Sequence, residues 1–203
     1  MQYEKASMKL ITELKNHSAN SKLALLIRHG DREQIPQGEF GNEILLNEKG
    51  RENSLAFGEA LKEYPVKRIL TSPIPRCVQT AELISEGYGG GLEILFTKCL
   101  GDPGLHIADE KIAGEFYLAH GFHEILRRFI REEPVPGVPE VKHFKNIMTE
   151  FIHENTTEKG LTVFVTHDSL IAMYHFCLNG TVYTLDNWVD YLEGVVYKIA
   201  EEK

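Results

Sequence analysis

The chain has 203 residues, enough to bury a sizeable core in one unit but little for two full domains. Hydrophobic residues make up 42% and charged residues 26%, the balance of an ordinary globular protein. The formal net charge of -8 argues against a nucleic-acid partner, whose phosphate backbone requires a broad basic face, although a few converging arginines could still hold a small anion.

Met1 to Ser21 is polar and mixed in charge, with no apolar run of the kind a secretory leader carries, and no later stretch is long enough to span a membrane. Cys77, Cys99 and Cys177 are widely spaced and form no CxxC pair, so neither a disulfide framework nor a zinc site is expected. These features predict a cytoplasmic protein in a reducing compartment, without a membrane partner.

A short amphipathic helix is predicted at Lys9 to Lys15. Leu23 to Ile27 is a continuous apolar run, the pattern of a strand buried on both faces, and it stops at Arg28-His29-Gly30. A polar loop leads to a helix over Asn47 to Tyr64, with Asn47 as its cap and Pro65 as its stop. Val66 to Thr71 reads as a strand, Pro75 to Glu86 as a helix with proline in its first turn, and Leu92 to Phe96 as a third strand. Lys98 to Glu140 breaks this alternation; it holds Asp102-Pro103-Gly104, a helical stretch around Phe122 to Arg131, and a proline-rich loop. A helix over Val141 to Asn155, a strand over Leu161 to Thr166, a helix from Asp168 to about Leu178 and a last strand over Gly194 to Ala200 complete the chain. Strands alternating with helices predict an α/β fold, a three-layer α/β/α sandwich with a mostly parallel sheet. The organisation read from this is a single domain over 1–203 with an insert at about 98–140.

The polar residues fall at strand ends. Arg28 and His29 follow the first strand, Ser72 to Arg76 the second, and His167 and Asp168 a late one. Ligands of parallel sheets bind outside the carboxyl ends of the strands. If those strands are neighbours, Arg28, His29, Arg32, Arg76, His167 and Asp168 meet at one edge. So much positive charge requires an anion, and phosphate suits the bidentate fork of arginine. With arginines supplying the charge, no metal and no cofactor are required.

Arg28-His29-Gly30, the block from Thr71-Ser72-Pro73-Ile74-Pro75-Arg76 to Gln79-Thr80-Ala81, and Val165-Thr166-His167-Asp168 resemble, in this order, the motifs of the histidine phosphatase superfamily. The resemblance runs from about Leu23 to Leu178 and fails over Lys98 to Glu140. It implies a phosphoglycerate mutase-like fold, with His29 as the nucleophile that becomes phosphorylated and Arg28, Arg76 and His167 as ligands of the phosphoryl oxygens. Arg32 and the His167-Asp168 pair are similar to the acid-phosphatase branch, which makes Arg32 a further phosphate ligand. The chain length and Leu46-Asn-Glu-Lys-Gly50 are similar to the mutase branch. The first branch implies Asp168 as proton donor, ranked first; the second implies Asp102, with Glu110 or Glu115 behind it.

The implied activity is hydrolysis of the phosphomonoester of a small phosphorylated substrate. One rival is a phosphoglycerate-type mutase; another is a non-catalytic phospho-ligand binding module. The simpler expectation for Arg127, Arg128 and Arg131 is the solvated side of an amphipathic helix, for His120 and His123 ordinary surface or core positions, for Asp168 a helix cap, and for Cys77 helix packing. A cysteine phosphatase is excluded, since Leu83, Leu105 and Tyr183 stand where the arginine of Cys-x5-Arg is needed. Asp-x-Asp, GxxxxGK[ST] and GxSxG are also missing from the sequence.

Overall fold

A computed structural model describes residues 3–36 and 38–200, so Met1 and Gln2 of the N-terminal segment lie outside the described residues. In chain order the elements are α1 (Tyr3–Lys15), β1 (Lys22–Arg28), α2 (Glu48–Ala60), β2 (Val66–Thr71), α3 (Pro75–Tyr88), β3 (Glu93–Phe96), α4 (Glu110–His120), α5 (Phe122–Ile130), α6 (Val141–Asn155), β4 (Gly160–Thr166), α7 (Asp168–Asn179) and β5 (Gly194–Lys198). Single 3-10 turns extend α2 at Leu61–Glu63 and follow β3 at Lys98–Leu100.

The strands form one sheet in the order β3-β2-β4-β1-β5. The first four are parallel to their neighbours, and β5 runs antiparallel along β1. Arg28 lies opposite Thr166 and Thr71 opposite Val165. This register aligns the carboxyl ends of β1, β4 and β2, the three strands that carry the polar motifs.

The continuous apolar run of β1 is explained by the two layers that cover it. Alternate side chains point to opposite faces. Leu23, Leu25 and Ile27 pack with residues such as Leu14 of α1, Phe57 of α2 and Ile84 of α3. Ala24 and Leu26 pack on the other face with Phe129 of α5, Phe144 and Met148 of α6, and Tyr174 of α7. The three-layer α/β/α arrangement follows.

Local signals set the helix starts. Asn47 Oδ1 accepts the Gly50 N–H at 2.9 Å, and Pro75 occupies the first turn of α3. α1 is longer than its predicted core. α4 was not anticipated. Asp109 caps it by accepting the Ile112 N–H at 3.0 Å, but Ala113 is its one fully buried residue, so the stripe that marks a core helix is absent from its sequence.

Candidate active site

His29 is the first residue beyond β1 and is 1% exposed. Its backbone N–H continues the ladder by donating to Thr166 O at 3.0 Å. The glycine that follows has a packing reason: a side chain at Gly30 would meet Ser54 Oγ at 2.7 Å and Gly50 O at 2.9 Å, because the loop crosses the first turn of α2. The Gly30 N–H donates to Thr80 Oγ1 at 3.0 Å, tying the loop to α3.

His29 Nδ1 lies 2.8 Å from Gly30 O, an acceptor only, so Nδ1 carries the proton. Its other nitrogen, Nε2, accepts from Arg76 Nε at 3.0 Å and therefore holds a lone pair. Burial, then the charges of His167, Arg28 and Arg76, hold the His29 pKa well below the ordinary imidazole value. The ring is neutral near pH 7.

Arg76 sits in the first turn of α3 and also donates to Gly41 O at 2.7 Å and to His167 Nδ1 at 3.3 Å. A guanidinium only donates, so His167 Nδ1 is the acceptor and its Nε2–H donates to Ser72 Oγ at 3.1 Å. The His29 and His167 rings lie 5.5 Å apart. Burial and then Arg76 push the His167 pKa strongly down.

These groups form the floor of a cleft of about 1130 Å³ that Arg32, Asp102 and Asp168 also line. Arg32 donates to Glu33 O at 2.6 Å. Asp102 pairs with Lys98 at 3.4 Å, its side chain 37% exposed.

Arg28, expected among the phosphate ligands, does not line the cleft. Its guanidinium donates to Val189 O, pairs with Asp168 at 2.9 Å and lies 4.0 Å from the centre of the Tyr191 ring. Asp168 is correspondingly occupied. Its Oδ2 accepts from Arg28 and from Trp188 Nε1 at 3.0 Å, and its Oδ1 from the Ser169 N–H at 2.9 Å. Burial would raise its pKa, but Arg28, Trp188 and His167 outweigh it, so the carboxylate is held below its usual range. His167, not Asp168, occupies the cap position of α7.

Three contributors were not singled out from the sequence. Trp188 and Tyr191 come from the segment before β5, where no motif marks them. His106 lines the cleft, is 7% exposed, and shares a hydrogen bond of 3.3 Å between Nε2 and Ser169 Oγ, while its Nδ1 is buried without a partner. Burial lowers its pKa to about 4. Gly101 lies outside the motifs quoted from the sequence but packs against His167. Its φ is +151°, and a Cβ there would lie 2.6 Å from both His167 Nε2 and Ser72 Oγ.

Among the remaining candidates, Arg127 and Arg128 both bind Glu124, at 2.7 and 2.8 Å, and point away from a substrate role. His120 packs on Phe116 and His123 on Trp188. No group of three or more His, Cys, Asp or Glu able to hold a metal occurs among the described residues. Cys77 is buried, its pKa pushed up to about 12, and its Sγ lies 3.6 Å from Thr166 O. No helix among the described residues is long and apolar enough to cross a membrane.

The sequence profile of the histidine phosphatase superfamily (branch 1) matches residues 24–184. A 2,3-bisphosphoglycerate-dependent phosphoglycerate mutase of Thermoplasma acidophilum is 27% identical over 157 residues, covering 74% of this chain and 72% of the mutase. The mitochondrial serine/threonine-protein phosphatase Pgam5 of Drosophila willistoni is 26% identical over 179 residues, covering 79% of this chain but 51% of that protein. Among solved structures, a phosphoglycerate mutase from Bacillus anthracis superposes with a TM-score of 0.57 at 18% identity, covering 92% of this chain and 95% of that one. The mycobacterial glucosyl-3-phosphoglycerate phosphatase superposes with a TM-score of 0.52 at 22% identity, over 77% and 78% of the two chains. The phosphoglycerate mutase-like fold expected from the motifs is present. The match to branch 1 means that Arg32 and the His167-Asp168 pair do not carry the chain out of that branch.

Proposed function

The chain belongs to the histidine phosphatase superfamily, and on that premise we propose that it hydrolyses a phosphomonoester in two steps through a phosphohistidine on His29. The observation that carries this reading is the state of His29. Its proton sits on Nδ1 against Gly30 O, and its Nε2 lone pair points at Arg76 on the floor of the cleft. A neutral imidazole fixed in this tautomer becomes a nucleophile at neutral pH once the phosphoryl oxygens draw the Arg76 Nε–H away from Nε2.

In the first step Nε2 bonds to phosphorus as the bond to the leaving oxygen breaks. Arg76, Arg32 and His167 take up the charge spreading over the phosphoryl oxygens. The departing oxygen takes a proton from a carboxylic acid. In the second step water attacks phosphorus, the nitrogen–phosphorus bond breaks, and the same carboxylate takes a proton from the water. We assign the acid to Asp102, reversing the order expected from the motifs. Both line the cleft, but Asp168 is held anionic by Arg28 and Trp188, whereas Asp102 pairs only at 3.4 Å with an exposed lysine. Arg28 then serves to hold Asp168.

Hydrolysis is favoured over phosphoryl return to substrate by the size of the cleft. A mutase must keep water from its phosphohistidine. A volume of about 1130 Å³ exceeds the roughly 300–1,000 Å³ of an ordinary ligand pocket, so water has room beside a small phosphate ester. Rapid quench with excess enzyme should trap an acid-labile, base-stable phosphoryl group on His29. Turnover in isotopically labelled water should place the label in inorganic phosphate. A single-step reaction with no trapped phosphoenzyme would sink the proposal, and label-free transfer to a second substrate molecule would mark a mutase. Activity should survive exhaustive chelation with EDTA and be blocked by vanadate; loss on chelation, restored by a divalent ion, would contradict the arginine-only charge balance.

A further inference from the structure

The cleft changes character with distance from His29. At its floor stand Arg76 and Arg32, the latter near enough to weaken the charged form of Arg76. Beyond them Lys111 is the single further Lys or Arg among the described lining residues. The walls there are apolar and aromatic: Phe40, Ile107, Tyr117, Phe122, Ile125 and Trp188. The other charges lining that part are carboxylates, Asp109, Glu110 and Glu115. Arg127 and Arg128, which follow Ile125 in sequence, are occupied by Glu124.

Two exposed apolar side chains stand on the walls. Phe40 is 48% exposed, and its ring stacks on Tyr117 at 5.3 Å, joining the loop after β1 to α4. Leu118 on the same helix is 49% exposed. The stacked Phe40 and Tyr117 rings present an apolar face to the cleft that a ligand entering it would cover. A second anionic group on the substrate, such as a carboxylate or another phosphate, would meet three carboxylates and one lysine. A neutral apolar body would instead bury against the rings.

We infer that the alcohol released by this enzyme is bulky, neutral and apolar, with an aromatic ring or a comparable hydrocarbon body seated between Phe40–Tyr117 and Phe122–Trp188. This rests on the hydrolase reading above. The compact phosphorylated acids handled by mutases are poor substrates for the same reason.

The test compares esters whose leaving groups are all alkyl oxygens, so that acid catalysis is held constant. Purified enzyme is given phenylpropyl phosphate, glycerol phosphate, phosphoglycerate and phosphoethanolamine. The expected kcat/KM for phenylpropyl phosphate exceeds that for glycerol phosphate by on the order of 100-fold, chiefly through KM, with phosphoglycerate lower still. Phe40→Ala should shrink that preference by about tenfold. Equal or better turnover of glycerol phosphate or phosphoglycerate overturns the inference, as does a preference for the ammonium ester or a Phe40→Ala variant with the preference intact. Hydrolysis of none of the four defeats the hydrolase reading itself, and this inference with it; hydrolysis in the wrong order defeats this inference alone.

Discussion

Around His29 the backbone is pinned from several sides. The ladder bond to Thr166, the Gly30 bond to Thr80, and the close approach of Gly30 to Gly50 leave the loop little freedom. α4, within residues 98–140, is held differently: it buries only Ala113 fully, and its Ile112 and Leu118 are 46% and 49% exposed. The floor gets its geometry from strand register, which a surface substitution cannot shift. The walls get theirs from side chains that can change without disturbing the sheet. On the hydrolase reading proposed above, the floor sets the phosphoryl chemistry and the walls choose the alcohol.

The largest effect is expected at the floor. His29→Ala should lower kcat by about 10⁴-fold or more, with the fold retained as checked by circular dichroism. Residual activity above a trace on the best substrate would remove His29 from the mechanism.

Next in size is the pair of carboxylates, one from each region. Asp102→Asn should depress turnover of an alkyl phosphate by about 100- to 10,000-fold and spare nitrophenyl phosphate, whose leaving group departs almost unaided, with little change in stability. Asp168→Asn should act through stability instead. Its charge balances Arg28, whose side chain is 8% exposed, so removing it leaves a buried cation without a counter-ion and should cost about 3 kcal/mol. Both substrates should then suffer alike. A leaving-group-dependent loss in Asp168→Asn, and none in Asp102→Asn, would return the acid to the position that the motifs ranked first.

The seam between floor and walls gives a third test. Gly101→Ala would push into His167 Nε2 and Ser72 Oγ, each 2.6 Å from the new Cβ, in a backbone conformation that favours glycine. A displacement of His167 by about 1 Å should cost kcat about 100-fold. Gly114→Ala, whose Cβ would meet only Phe40 Cζ at 3.5 Å, should leave kcat within about twofold, because that is ordinary van der Waals contact. Equal behaviour of the two variants would mean that the seam does not position His167.

The same contrast explains what the sequence made legible. The strand of Leu23 to Ile27 shows as an apolar run because both of its faces are buried, and the polar residues that interrupt such runs mark the sheet edge without any knowledge of packing. Arg28 shows the limit of this reasoning. A motif places a side chain at the right strand end but not the direction of its guanidinium, which here depends on Val189, Tyr191 and Asp168, two of them some 160 positions away. α4 escaped because a helix lining a cleft has no apolar stripe to display. His106 escaped because a lone histidine in a loop has no periodicity, and only the packing of that loop against α7 buries it. Gly101 carries its meaning in a clash that only coordinates reveal.

The smallest effect concerns stability against pH and again separates a buried group from its surroundings. His29 and His106 are buried and His167 half-buried, all with pKa values lowered chiefly by loss of solvation, against about 6.5 for an unfolded histidine. Between those limits the unfolded chain binds more protons than the folded one. The stabilisation is therefore complete above about pH 6.5 and is lost as pH falls, at up to about 1.4 kcal/mol per pH unit for each such group. For His106 the window runs from about 6.5 down to the folded value of about 4. The other nitrogen explains why the cost is not escaped by pairing. Nδ1 has no partner, so a proton added there would be buried without an acceptor. His106→Leu gives up only the Ser169 hydrogen bond, a loss of about 1 kcal/mol at pH 7, and removes one of the three titrations. Urea unfolding from pH 7 to 4.5 should show the variant less stable at the neutral end and the gap closing, then reversing, as pH falls. A variant whose stability declines with the wild-type slope over that range would show that His106 takes up its proton as readily folded as unfolded.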